Sequence, residues 1–243
     1  LTMGGEIKAK NLIAQGKTYD QAVSAIQPFK PTQHLLYNPG GYPSFILPII
    51  LILVLQQTLL IGIGMLTGRV TEKDRLAASI QESTHYHGLL RIIFGRALAI
   101  FITYIPIMVY VLIIIPKYFN IPQLVESPMK VVWFITPFLF SVILLGMTIG
   151  VFFNNRENAI PFYIFMSVPM LLMTGLPWPR EAMPAVWEMI SHIIPSTDAA
   201  NGFAMMTMGS SMAEISMENY WLWILTGFYF LTTYFAYRWK LKI

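Results

Sequence analysis

His85 and His87 stand two residues apart in a polar stretch, a spacing that can chelate a metal only if further ligands arrive from elsewhere. The chain has no cysteine, so thiolate ligation and disulfides are both excluded. Zinc sites take three or four protein ligands, and no such cluster accompanies the two imidazoles, which read as surface residues. Met205, Met206, Met208 and Met212 form a run of soft thioethers. Such a run can hold a soft metal, but adaptable packing or lipid contact is its commoner use. No metal site is expected. A G-x-x-x-x-G-K-[ST] loop is also missing, so the chain does not bind ATP by that route.

Two further groups carry polar chemistry. Gln56 and Gln57 lie side by side inside an otherwise apolar run. Adjacent helical positions point about 100° apart, so only one of the two is expected to face a given neighbour, and one can line a pathway. The second group is Arg69, Glu72, Lys73, Asp74 and Arg75, which opens the stretch from Gly68 to Arg96. Leu76, Ala77, Ala78 and Ile80 follow at helical spacing, the pattern of an amphipathic interfacial helix. It reads either as an element that docks on a partner or as a solvated loop. Arg156 and Glu157, in the tight polar turn Asn154 to Asn158, are the other exposed charges able to touch a partner.

The elements that position these residues are apolar. Hydrophobic residues make up 56% of the 243 positions and charged ones 12%, half the share of about one-quarter found in soluble domains. They gather into five blocks, residues 43–66, 97–115, 131–153, 160–176 and 220–237. Each falls within the range of about 17–25 residues used by helices that cross a hydrocarbon core of about 30 Å. All five are expected to be transmembrane helices, kinked at Pro48, Pro106, Pro137 and Pro169, in an all-α polytopic membrane protein. Residues 1–42 are polar, with a short amphipathic pattern in Tyr19, Ala22, Val23 and Ile26.

None of the five blocks contains Asp, Glu, Lys, Arg or His, although proton relays, ion-coupled carriers and intramembrane catalysts need ionisable groups at membrane depth. Active transport by such a bundle needs work from a separate nucleotide-binding partner. Gln56, Gln57, Thr58, Ser141, Thr148, Ser167 and Thr174 read first as interhelical glue, and Gly62, Gly64, Gly146 and Gly150 as points of close helix approach.

Lys and Arg in short loops set orientation. With the C-terminus cytoplasmic, the inside holds Arg69, Lys73, Arg75, Arg91, Arg96, Arg156, Arg238, Lys240 and Lys242, against Lys117, Lys130 and Arg180 outside. Trp133, Trp221, Trp223 and Trp239 fit interfacial belts. This orientation leaves residues 1–42 outside without a preceding span, so the expectation is the C-terminal portion of a longer protein with an earlier helix. Between residues 176 and 217, Met183, Val186, Trp187, Met189, Ile190 and Ile193 recur at helical spacing, which predicts short interfacial or re-entrant helices. Pro195, Ser196 and Thr197 break the first of these, with Ser or Thr as the next N-cap.

The order of several short motifs from Tyr37 onward carries a resemblance. They are Tyr37-Asn38-Pro39, Leu55-Gln56-Gln57, Phe94-Gly95-Arg96, Arg156-Glu157, Thr174-Gly175-Leu176-Pro177-Trp178-Pro179, Met183-Pro184, Trp187 and Pro195-Ser196-Thr197. In that order and spacing the chain resembles the ABC-2 family of transporter permeases, especially versions from Bacteroides-like bacteria. The resemblance implies six helices per subunit, with a large extracytoplasmic domain between the first and second and short external helices before the last. Residues 1–42 are then the C-terminal end of that domain, and residues 43–243 supply helices two to six.

It also implies a homodimer, or a pseudo-dimer with a related permease, that works with ABC ATPase subunits. ATP and Mg belong to that partner and no cofactor to this chain. The residues expected to couple to the ATPase are Arg69, Glu72, Lys73, Asp74, Arg75, Arg156 and Glu157, although the Glu-x-Glu and Gly-Thr pattern of the loop is only partly kept. Gln56 and Gln57 are the pathway candidates. Pro177, Trp178, Pro179, Met183, Pro184, Trp187 and Pro195 belong to the external helices. The expected function is export of a lipid-like or drug-like substrate across a bacterial inner membrane among membrane lipids, with no nucleic acid and no covalent chemistry. The alternative is a membrane-embedded scaffold or lipid-handling enzyme, which needs a catalytic constellation near an interface.

Overall fold

The structure is a computed structural model and describes residues 10–16, 42–72, 88–119, 127–177 and 182–242. The chain divides into two compact units, Leu1–Leu36 and Tyr37–Ile243. In the first, residues 10–14 are helical, and Gly16 ends the turn at φ 90°, a left-handed angle that glycine adopts without a Cβ clash.

The second unit is helical, with no strand among the described residues. Helix α1 spans Tyr42–Glu72. Helix α2, Leu89–Val109, continues through a π-helical turn, Tyr110–Ile114, into α3, Ile115–Tyr118. Then come α4 (Pro128–Gly150), α5 (Arg156–Met173), α6 (Ala185–Ser191), α7 (Pro195–Thr207) and α8 (Ser216–Lys242). Three stretches are long and apolar enough to cross a membrane: Phe45–Val70, Leu89–Tyr118 and Pro128–Gly150. The fourth and fifth apolar blocks form α5 and α8, of 18 and 27 residues. These two are less apolar, because α5 opens on Arg156 and Glu157 while α8 carries Glu218, Arg238 and Lys240.

The helices overrun the apolar blocks. Helix α1 continues from Leu66 to Glu72, and α2 begins at Leu89 rather than Ala97. Arg69, Arg91 and Arg96 therefore stand on helices, not in the loop expected between Gly68 and Arg96. The physical reason is that Arg, Lys and Glu are good helix formers. At about 1.5 Å per residue a helix of this length also passes through the headgroup layers and not the hydrocarbon alone. The helices run through Pro48, Pro106, Pro137 and Pro169, and through Pro161 as well. Just after Pro106 the amide of Tyr110 reaches both Ile107 and Pro106 carbonyls, where the ladder shifts to the wider π register.

Small residues set the packing. Ile63 and Thr67 of α1 sit against Gly146 and Gly150 of α4, where an added Cβ would lie 3.1 and 3.0 Å from them. This is the small-xxx-small approach expected of that pair. Gly64 faces Tyr163 and Ala159 of α5, and Gly68 lies against the backbone of Arg156. Gly62 instead faces open space. Helices α4 and α8 are joined by hydroxyls: Thr148 Oγ1 lies 2.9 Å from Thr233 Oγ1 and 3.1 Å from Thr232 Oγ1, and Thr226 donates to the Pro137 carbonyl at 3.0 Å. Of the three long apolar stretches, Leu89–Tyr118 is the least enclosed, 22% buried against 50% and 61% for the others, so α2 is peripheral.

One end of the bundle gathers the cations. Gly68 touches Arg156, and Arg96 donates to the Tyr237 hydroxyl at 3.2 Å. Arg69, Arg96, Arg156, Arg238 and Lys240 thus share one end. Phe152 and Trp239 lie beside them, ring centroids 5.9 Å apart. Trp133 and Trp223 pair at 6.2 Å toward the opposite end, where Lys117 and Lys130 stand. Aromatic rings at both rims suit the two membrane interfaces.

Candidate functional site

Helices α6 and α7 form a hairpin that dips into the bundle. The Tyr229 hydroxyl donates to the Ile193 carbonyl in the hairpin turn, and Tyr229 is the midpoint residue of α8. Gln56, next to the midpoint of α1, donates from Nε2 to Ser196 Oγ at 3.0 Å. The N-terminus of α7 is therefore level with the middle of two long helices. Pro195 occupies its first turn, where a missing N–H costs nothing, and Ile194 is the N-cap. Neither Ser196 nor Thr197 caps the helix, contrary to the expectation. Ser196 is engaged by Gln56, and Thr197 Oγ1 is buried without a partner.

The paired glutamines behave differently from the 100° argument. Both Nε2 atoms lie 3.3 Å from Met170 Sδ of α5, because their long flexible side chains converge where the backbone vectors diverge. Gln56 is fully buried and Gln57 partly so, and each leaves its Oε1 without a partner. Gln56 Oε1 and Thr197 Oγ1 are thus unpartnered near the start of α7, and Gln57 Oε1 beside α5. A buried amide oxygen without a partner is costly, about 1–3 kcal/mol, so the α1–α5–α7 contact is poised rather than fully satisfied. Gly202 lets α7 seat on α4: a Cβ there would lie 2.4 Å from Phe134 Cζ.

Sequence reasoning missed the ionisable pair that the hairpin carries inward. His192 Nδ1 lies 2.8 and 3.1 Å from the two Asp198 carboxylate oxygens, and the side chain of Asp198 is 1% exposed. Its position in the first turn of α7 places the carboxylate at the positive end of the helix dipole. The imidazole stacks on Trp221 with centroids 5.2 Å apart. The apolar blocks lack Asp, Glu, Lys, Arg and His, yet the hairpin brings one such pair toward mid-bundle. Of the nearby hydroxyls, Ser191 donates to the Glu188 carbonyl and Ser196 accepts from Gln56 Nε2. Only the Pro-Ser-Thr-Asp run, an acid in a helix's first turn after a break, hinted at it. A cavity of about 710 Å³ between α6 and α8 lies beside the pair, walled by Met189, Ile193, Ile224 and Phe228 with Glu188 at its margin.

The other site residues fall as follows. Pro177 is exposed after Gly175, whose φ of 82° closes α5. Met183 is buried, Pro184 precedes α6, Trp187 is half exposed on it, and Pro195 is buried. Arg69, Arg156 and Glu157 are exposed at the cation-rich end, and the Gly68–Arg156 contact brings the close of α1 to the start of α5. Glu72 is the last residue of α1. Lys73, Asp74, Arg75, His85, His87, Trp178 and Pro179 lie outside the described residues, as do the interfacial helix near Leu76 and the pattern from Tyr19 to Ile26. Among the described residues no group of three or more His, Cys, Asp or Glu is placed to hold a metal.

No curated protein and no solved structure matches the chain significantly. The sequence profile of the family described as ABC-2 family transporter protein matches residues 6–235, which takes in every described helix of the second unit but the last turns of α8. The chain therefore belongs to the ABC-2 transporter family, as a multi-pass permease component of an ABC transporter.

Proposed function

We propose that the chain is the permease subunit of an exporter that moves a lipid-like or drug-like molecule outward across a bacterial inner membrane, as a homodimer or pseudo-dimer. Family membership implies an ABC ATPase partner, which binds and hydrolyses the ATP. The cation-rich end is the cytoplasmic face, by the excess of Lys and Arg there, and so the C-terminus is cytoplasmic. Residues 1–42 close an extracytoplasmic domain, and residues 43–243 form the membrane domain with α5 and α8 as its further spans.

The observation that carries the reading is the contact of Gly68 with the Arg156 backbone at that face. It brings Arg69 beside Arg156 and Glu157 in one coupling surface for the ATPase, a role that the sequence alone extends to Glu72, Lys73, Asp74 and Arg75. Pressure there moves α1, whose near-central Gln56 holds Ser196 of the hairpin. A shift of α1 thus reaches α7 at Ser196, beside Pro195, in the segment whose Pro177, Trp178, Pro179, Met183, Pro184 and Trp187 the sequence assigns to the external helices. Two packings of that hairpin, exchanged by ATP-driven closure of the partner, make an alternating-state transporter. Gln56 and Gln57 stand where the pathway would pass.

Affinity purification of the chain from its native membrane tests this. Co-purification of a P-loop ATPase, with hydrolysis that rises on association and falls in Arg156→Glu, is the expected result. A stable lone protein with its own hydrolytic activity would reject it.

A further inference from the structure

We propose that a groove between α1 and α2 is a binding site for an anionic acyl lipid drawn from the leaflet at the cation-rich end. Two cavities of about 320 and 250 Å³ lie along these helices and share Ile63, Leu66, Ala99 and Ile100 in their walls. They form one trough. Its inner end is closed by the hydrogen bond between Thr58 and Tyr104, and its outer end by the pair Arg96–Tyr237. From Arg96 to Ile107 the trough runs roughly 16 Å along α2, a length suited to an extended acyl chain rather than a compact molecule. Gly62 forms part of the wall and its missing Cβ leaves open space, so the floor is wide where a chain would lie.

The charge at one end decides the ligand class. The Arg96 guanidinium is a cation with a planar fork of donors that matches carboxylate and phosphate. Its partner is the neutral Tyr237 hydroxyl, and among the described residues no carboxylate pairs with it. A guanidinium at the mouth of an apolar trough, at membrane-interface depth, is completed by an anionic headgroup whose chain fills the trough. A neutral or cationic amphiphile leaves that charge uncompensated. The inner hydroxyls of Thr58 and Tyr104 satisfy each other, so a single acyl chain with its head at Arg96 fills the apolar length between.

The test uses the full chain with its ATPase partner in phosphatidylcholine nanodiscs, labelled with a photoactivatable phosphatidylglycerol without ATP turnover, so that binding is read apart from transport. Cross-links are expected on peptides holding residues 59–66 and 99–107, displaced by unlabelled phosphatidylglycerol and not by extra phosphatidylcholine. Arg96→Gln, which keeps a donor for Tyr237, should weaken competition about tenfold or more, the loss of a charge-assisted hydrogen bond. Gly62→Leu should abolish groove labelling by filling the trough while Arg96 stays intact, and both variants should still co-elute with the ATPase. Labelling spread evenly over the lipid-facing helices overturns the proposal, as does undiminished labelling in Arg96→Gln. So does a cross-link from the trough to another protein helix, which would make its occupant a polypeptide.

Discussion

Replacing Gly68 by alanine is the sharpest probe of the contact on which coupling rests. A Cβ at that position would lie 2.8 Å from both Cα and N of Arg156 and 2.9 Å from the Asn155 carbonyl carbon. Unstrained carbon contacts need about 3.5–4.0 Å, so α1 and α5 must part by about 0.7–1.2 Å. All three contacted atoms are main chain, and no rotamer change relieves them. Overpacking of this kind costs about 1–3 kcal/mol. Gly62→Ala is the internal control, since nothing lies within 4 Å of a Cβ there and alanine gains up to about 1 kcal/mol in helix propensity. Thermal unfolding of the purified permease–ATPase complex reads the difference, at roughly 2–4 °C per kcal/mol for a chain of this size. Gly68→Ala should melt lower than the parent and Gly62→Ala at or above it, with ATPase stimulation reduced only in the former. If Gly68→Ala melts with or above Gly62→Ala, the packing of α1 on α5 is not as described.

Tyr163→Phe removes a fully buried hydroxyl that has no partner, and should leave the melting temperature unchanged or raise it by the equivalent of about 1 kcal/mol. Asp198→Ala should destabilise the hairpin by about 1–3 kcal/mol in the same assay, and Asp198→Asn by less; the loss falls short of a fully buried pair because the His192 side chain keeps 26% exposure. Thr233→Val removes the hydroxyl that reaches Thr148 and the Leu144 carbonyl, and should loosen α8 from α4 by about 0.6 kcal/mol, measured as a shift in detergent-unfolding midpoint. Gly202→Ala drives a methyl into the buried Phe134 ring and should cost about 1–3 kcal/mol, with hydrogen exchange quickening first in α7.

Much of the candidate site was legible only as a list of residues. The glutamine pair stood out because an amide inside an apolar run is unusual, yet its partners Met170 and Ser196 lie 114 and 140 positions away. Local spacing holds no information about such contacts, and the rule that adjacent helical residues diverge failed because two flexible side chains can still meet at one sulfur. The N-cap expectation for Ser196 or Thr197 failed for a related reason: tertiary hydrogen bonding from Gln56 took the hydroxyl that a local rule assigned to the helix end. His192 and Asp198 drew no notice because each looks like a surface residue in a polar segment. Only the depth of the hairpin buries the carboxylate.

By itself the amino-acid sequence determined that the chain is a bundle of long apolar helices, which face of it gathers arginine and lysine, and which family it resembles. These follow from block length, composition and motif order, all of them properties of short stretches of chain. Tertiary structure alone decided that Gly64 and Gly68, rather than Gly62, meet α5, that Arg96 reaches Tyr237, and that a carboxylate lies beside mid-bundle. Each of these depends on which helices become neighbours and at what height they cross, and van der Waals fit and hydrogen bonding between distant segments settle that only when the whole bundle packs.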